Sequence, residues 1–428
     1  MNPYLLDVAY AGGFLAASPY FLYKMATTGK YRAGLSQRLG FVPERTGAEC
    51  IWLHGVSVGE LLAARSIVAG LRKALPDVPL AVSTTTNTGH ERALESYSDS
   101  HVFYYPLDFS WAVSRVFERI RPAMVVLMEM EVWPNFISRA CARGVPVVVA
   151  SGRITERAHR GYARFPRLVQ KMLSKVDLYL MQNELYADRL RSLGVPREKV
   201  RVVGNVKFDT VSIDVDPSSR RALRSEMGVG ENEILIIGGS THAGEEQALL
   251  ASYSHLRRRD PRLRLLVVPR HQTRFEEVRR LIVSQGFEVF ARSSLAGGAP
   301  AGGEVLLGDT MGELERLYEA ADIAFVGGSL IPHGGQNILE PAAKGKPVVF
   351  GPSMENFPSA EELLLTAGAA VRIEGAGELG EALAGFLDGH KAAAAGEAGR
   401  AAVVGSKGAT ARTVEAITSI LNEKKQCT

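Results

Sequence analysis

Three clusters in this 428-residue chain have residue types and spacings suited to acid–base and anion chemistry. The first is Ile51-Trp52-Leu53-His54-Gly55-Val56-Ser57-Val58-Gly59-Glu60, an apolar run, a glycine-bearing loop and a helix start with a carboxylate in its first turn. A glutamate so placed can act as a general base toward a hydroxyl. Ser57 and Glu60 also have the spacing of a capping box, in which each side chain serves the other's backbone donor. Both readings stay open, with Gly55 and Gly59 clearing space that a plain cap does not need. The second cluster, Met128-Glu129-Met130-Glu131-Val132-Trp133-Pro134-Asn135, sets two carboxylates just past a buried apolar run, where open α/β sheets bind ligands. The third runs from Phe325 through Gly327-Gly328-Ser329, Gly334-Gly335 and Asn337-Ile338-Leu339-Glu340, again with an N-cap type and a glutamate three positions on. Pro269-Arg270-His271 supplies a guanidinium for one phosphate or, as the alternative, a surface salt bridge.

Strand-length apolar runs must position these clusters. They fall at 50–54, 80–84, 102–105, 124–128, 145–150 and 178–181, then at 234–237, 265–268, 305–307, 323–326, 348–350 and 370–373. Helical patterns lie between them, at 61–74, 112–120, 135–143 and 185–193 in the first half. Continuous Val/Ile/Leu runs, as opposed to alternating ones, mark strands buried on both faces of a parallel sheet. The expectation is an α/β chain built from two doubly wound, Rossmann-like domains. Helix N-termini in such folds offer unpaired N–H groups and partial positive charge to an anion or carboxylate.

The expected organisation is an N-terminal segment over 1–40, a first domain over 41–206, a linker over 207–219 and a second domain over 220–428. The last helix is expected to pack back on the first domain. Asp214-Val215-Asp216 resembles an acidic metal-holding pair but falls in the linker. Gly238-Gly239-Ser240-Thr241-His242-Ala243-Gly244-Glu245-Glu246 follows a strand and opens a helix, yet matches neither the dinucleotide nor the P-loop fingerprint. No metal-ligand pattern stands out.

The composition is that of a globular protein, with 46% hydrophobic and 22% charged residues. A formal charge of +4 argues against bulk nucleic-acid binding, and three scattered cysteines build no disulfide framework. From residue 3 to 23 the lone charge is Asp7, and Lys24, Lys30, Arg32 and Arg38 follow at once. This predicts a membrane anchor with the rest of the chain on the cytoplasmic side, either a span or a helix lying in the interface, the alternative being a packed amphipathic helix. Arg153, Arg157, Arg160, Arg164, Arg167, Lys171 and Lys175 recur at helical spacing, interrupted by Pro166. Such a cationic face suits anionic lipid head groups.

Taken together the motifs resemble the 3-deoxy-D-manno-octulosonic acid (Kdo) transferases. The resemblance rests on 54–60, 128–135, Gly204-Asn205-Val206-Lys207-Phe208-Asp209, 240–246, 269–271, Gly308-Asp309-Thr310-Met311-Gly312-Glu313-Leu314 and 327–340. Met130, Gln336 and Ile338 depart from the residues common there. The resemblance implies a GT-B fold facing a central cleft, at the cytoplasmic face of the inner membrane. It implies CMP-Kdo as donor, a lipid A precursor as acceptor, inversion, and neither metal nor cofactor. Carried over by motif, Glu60 is the proton acceptor, while Glu129 and Lys207 stabilise the transition state. Pro269, Arg270, Met311, Gly312, Glu313, Asn337, Ile338, Leu339 and Glu340 hold the cytidine nucleotide.

Overall fold

The computed structural model describes residues 3–28, 33–214, 216–297 and 305–426. The chain divides into two compact units, Met1–Thr210 with Lys407–Thr428, and Val211–Ser406. The stretch expected as a linker is therefore shared, 207–210 closing the first unit and 211–219 opening the second. The second unit ends at Ser406, and the C-terminal residues belong to the first.

The first unit carries a seven-stranded parallel sheet in the order β3-β2-β1-β4-β5-β6-β7. Its strands are β1 Cys50–His54, β2 Leu80–Thr84, β3 His101–Tyr104, β4 Pro122–Met128, β5 Val147–Gly152, β6 Leu178–Met181 and β7 Val200–Val202. Every residue of β1 and β4 is buried, as continuous apolar strands require. Alternation sends Trp52, Val125 and Leu127 to one face and Ile51, Leu53, Met124 and Val126 to the other. On the first face Trp52 sits 5.0 to 5.5 Å, ring to ring, from Phe103, Phe117 and Phe136. On the second, helix Val58–Ala74 buries Leu61, Ala64, Ile67, Val68 and Leu71, and helix Ala409–Gln426 adds Ala416, Ile417 and Leu421 to the same core. Each large aliphatic side chain so buried contributes about 2 kcal/mol.

The second unit repeats the plan, with sheet order β10-β11-β9-β8-β12-β13-β14. Its strands are β8 Ile234–Thr241, β9 Leu263–Pro269, β10 Val289–Ala291, β11 Val305–Leu307, β12 Ile323–Val326, β13 Val348–Phe350 and β14 Ala370–Arg372. In both sheets the winding reverses beside the first strand, between β1 and β4 and between β8 and β12. Loops at the carboxyl ends of those strands flank the crevice where such sheets take ligands.

Helix Pro3–Thr28 carries Pro19 inside it, and no helix among the described residues is long and apolar enough to cross a membrane. Asp7, the lone charge of that run, is a docking group. It accepts hydrogen bonds from the Ser110 N–H (2.9 Å), the Ser110 hydroxyl and the Asn135 amide (2.9 Å). Tyr10 donates to Asp108 at 3.1 Å. Pro166 starts a new helix and so splits the cationic stripe: Arg157 and Arg160 lie on Glu156–Ala163, Arg167 and Lys171 on Pro166–Leu173, and Arg153, Arg164 and Lys175 on neither. Asp216 caps helix Pro217–Glu226 by accepting from the Ser218 N–H at 2.8 Å.

Candidate active site

In the first unit, Glu60 leaves β1 and Glu129 leaves β4, on the two sides of the reversal. Half of the capping box is formed as expected: Ser57 Oγ accepts from the Glu60 N–H (3.3 Å), but the Glu60 carboxylate accepts from the Ser57 hydroxyl (Oε1, 2.8 Å) and the Val56 N–H (Oε2, 2.8 Å). Each carboxylate oxygen has a second lone pair, so capping leaves capacity for a substrate proton. Burial holds the Glu60 pKa above the ordinary glutamate value against those bonds, and the charges of Glu129 and Glu131 push the same way. Three carboxylates therefore share one neighbourhood, which makes Glu60 a better base near neutral pH than an isolated glutamate.

Glu129 has φ 55°, in the left-handed region that non-glycine residues rarely enter, and its N–H is tied to the Ala150 carbonyl at 2.9 Å. Such backbone costs about 1–3 kcal/mol and persists where surroundings enforce it. Glu131 accepts from the Trp133 indole N–H at 3.1 Å, and burial raises its pKa.

Lys207 stands past β7, in the short helical turn Val206–Thr210. A side-chain chain along the carboxyl ends of β5, β6 and β7 leads to it. The Gln182 amide donates to the Ser151 carbonyl (2.9 Å) and hydroxyl (3.2 Å), Asn205 donates to Gln182 Oε1 (3.3 Å), and Asn205 Oδ1 accepts from the Lys207 N–H (3.0 Å). Ser151 shares the left-handed strain of Glu129, with φ 55°.

In the second unit the Arg270 N–H is fixed to the Thr241 carbonyl at 3.0 Å, and its exposed side chain lies at the end of β9. Pro269 itself is a buried strand end. Past β11, Met311 is 55% exposed, Gly312 takes φ 83°, and Glu313 accepts from the Thr310 hydroxyl. Arg292 lies 3.6 Å from Glu313. Helix Leu339–Ala343 is a single short turn, so the N-terminal dipole expected near Asn337 is slight. Side chains act in its place: Asn337 donates to Glu340 at 3.0 Å and accepts from the Leu339 N–H at 3.2 Å. Burial pushes the Glu340 pKa to about 7, with Asn337 and the nearby Arg270 opposing. Ile338 and Leu339 turn into the core at 0% and 2% exposure.

The residue that sequence reasoning passed over is Glu245. Fully buried, it accepts from the N–H groups of His242, Gly328, Ser329 and Leu330 at 2.7–3.0 Å and so clasps the glycine loop after β12. Its sequence signal was the paired Glu245-Glu246 opening a helix after glycines. Glu246, equally buried, pairs with Arg274 at 2.6 Å. Among the described residues no group of three His, Cys, Asp or Glu side chains is arranged to hold a metal.

A family model described as 3-Deoxy-D-manno-octulosonic-acid transferase (kdotransferase) matches residues 33–210. The 3-deoxy-D-manno-octulosonic acid transferase of Haemophilus influenzae is 36% identical over 342 residues, which span 78% of this chain and 79% of that protein. The chain belongs to the Kdo transferase family. The Bordetella pertussis Kdo transferase is 33% identical over 408 residues, 90% of this chain and 93% of its own length. As a member of the Kdo transferase family the chain is a glycosyltransferase, and its paired doubly wound units have the GT-B fold. A UDP-GlcNAc 2-epimerase from Neisseria meningitidis, solved bound to UDP-GlcNAc, shares that fold with a TM-score of 0.56 over 87% of this chain and 100% of its own. At 15% identity the likeness to it is one of fold alone.

Proposed function

We propose that the protein moves Kdo from CMP-Kdo to a lipid A precursor, lipid IVA, in lipopolysaccharide core synthesis, with inversion at the anomeric carbon. The observation that carries this reading is the convergence of Glu60, Glu129 and Glu131 at the winding reversal of the first unit, with the Glu60 pKa raised by burial. Glu60 takes the proton of an acceptor hydroxyl as its oxygen attacks the anomeric carbon. The bond from that carbon to the phosphate oxygen breaks, and CMP leaves with the electron pair. One displacement from one face inverts the centre. CMP is a weakly basic leaving group, so its departure needs no protonation of the phosphate.

Glu129 and Lys207 supply opposite charges for a transition state in which positive charge grows on the sugar and negative charge on the phosphate. Arg270 is the donor-side cation, while Met311, Gly312, Glu313 and 337–340 frame the nucleotide. Membrane contact at the cytoplasmic face of the inner membrane is part of the same reading. Phe165 (64% exposed) and Leu168 (48%) project among exposed Arg157, Arg160, Arg164, Arg167 and Lys171, a mixture suited to an anionic bilayer surface. The test is to incubate the purified protein with CMP-Kdo and lipid IVA and weigh the lipid by mass spectrometry. The expected product is heavier by one or more Kdo residues, and an unchanged lipid with intact, folded protein overturns the proposal.

A further inference from the structure

The second unit holds a buried nitrogen that the groups named so far leave unused. His242, the first residue after β8, is 7% exposed, and its Nε2 is buried without a hydrogen-bond partner. Its other ring nitrogen, Nδ1, lies 3.1 Å from the Ser240 carbonyl, which can only accept, so Nδ1 carries the hydrogen. Ser240 is held at φ 52°, a strained backbone of the kind that gathers at ligand sites. Glu245, 3.8 Å from Nδ1, also binds the His242 N–H and fixes the residue from below. The groups around the ring are His333 at 4.3 Å and His271 at 5.6 Å between centroids, with Arg274 beyond. Burial first, then the His333 charge, holds the His242 pKa down to about 4. The imidazole is therefore neutral at neutral pH, and Nε2 presents a lone pair.

That tautomer decides the chemistry. A bare Nε2 cannot grip a carboxylate or phosphate; it can accept from a hydroxyl. Its position decides the source. A Cβ on Gly328 would stand 3.4 Å from His242 Cε1, the atom bonded to Nε2, and 3.2 Å from Gln336 Cγ. The nitrogen thus lies against the glycine loop at the winding reversal, one residue from Arg270 through His271, on the edge of the residues assigned to the nucleotide.

We propose that His242 reads the sugar of the donor, its Nε2 accepting a hydrogen bond from one sugar hydroxyl in a subsite distinct from the nucleotide contacts. This rests on the reading that the second unit binds CMP-Kdo. The test compares wild type, His242→Phe, which keeps a planar ring without the acceptor, and His242→Gln, which restores one. CMP affinity is measured by calorimetry and CMP-Kdo kinetics by product mass. Each is repeated with donors lacking single sugar hydroxyls.

For His242→Phe the expected result is CMP affinity within twofold of wild type and kcat/KM for CMP-Kdo lower by about 10- to 100-fold, the effect of one unpaired polar group. His242→Gln recovers part of it. One deoxy donor should lose the same factor with wild type and nothing further with His242→Phe. Unchanged kinetics in His242→Phe overturn the proposal in favour of an internal water at Nε2. Equal losses for CMP and CMP-Kdo, or equal penalties for every deoxy donor, overturn it in favour of a loop-supporting role. The wild-type donor series reads the subsite even if His242→Phe folds poorly. Failure of wild type to bind CMP at all overturns the donor reading itself, which none of the variant outcomes does.

Discussion

The loops after β1 and β8 occupy the same place in two similarly wound units, and each delivers a glutamate to the first turn of the following helix. Burial raises the pKa of both carboxyls, but Glu60 stays partly exposed and is satisfied by its own loop through Val56 and Ser57. Glu245 is sealed and reaches across the reversal to the loop after β12, taking three backbone N–H groups there as well as that of His242 in its own loop. The same local chemistry, a carboxylate beside unpaired backbone donors, leaves a carboxylate open to solvent where its bonds stay in its own loop and makes a structural bolt where they reach across the sheet. What separates the two is which donors the fold brings near, not the motif.

The largest effect should come from the bolt. Glu245→Ala strands four donors at about 1 kcal/mol or more each, so unfolding of the second unit in urea should show a loss of at least about 4 kcal/mol. A loss below 1 kcal/mol would erase the contrast. Glu60→Gln keeps a capping side chain, so stability should stay within about 1 kcal/mol while kcat falls about 10²- to 10⁴-fold. Near-normal turnover would return Glu60 to a purely structural place beside Glu245.

Glu340 sharpens the comparison from between the two. Its folded pKa of about 7 exceeds the ordinary 4.5, so the native state holds its proton more tightly than the unfolded chain. Its contribution is complete below the unfolded value and is lost as pH rises to about 7, at most about 3 kcal/mol. Glu340→Gln should flatten that slope in unfolding measured across the interval, and an unaltered slope would place the proton elsewhere.

The inner strands were legible because burial on both faces leaves continuous apolar runs. β7 and β10 were not: each is three residues long at a sheet edge, and β7 exposes Arg201 between two valines. Glu60 and Glu129 were readable as carboxylates just past strand ends. The left-handed backbone of Glu129 was not, since tertiary contacts impose it on a residue with no local preference for it. The clasp by Glu245 was hidden for a different reason, its partners lying 83 to 85 residues away. The chain Ser151–Gln182–Asn205 toward Lys207 likewise joins three separate strand ends, and only Asn205 belonged to a motif visible in the sequence.

Helix Ala409–Gln426 completes the core of the unit that begins the chain, and Asp209 receives its start by accepting from the Gly408 and Thr410 N–H groups. Val414 lies so close over Gly70 that a Cβ there would meet its Cγ2 at 2.7 Å. During synthesis the first unit therefore leaves the ribosome with the side of helix Val58–Ala74 around Gly70 uncovered, and it must wait through the whole of the second unit before helix Ala409–Gln426 arrives. No single cut of the polypeptide releases both units whole. A shortened C-terminus would injure the half that carries Glu60 and spare the half beside it in sequence.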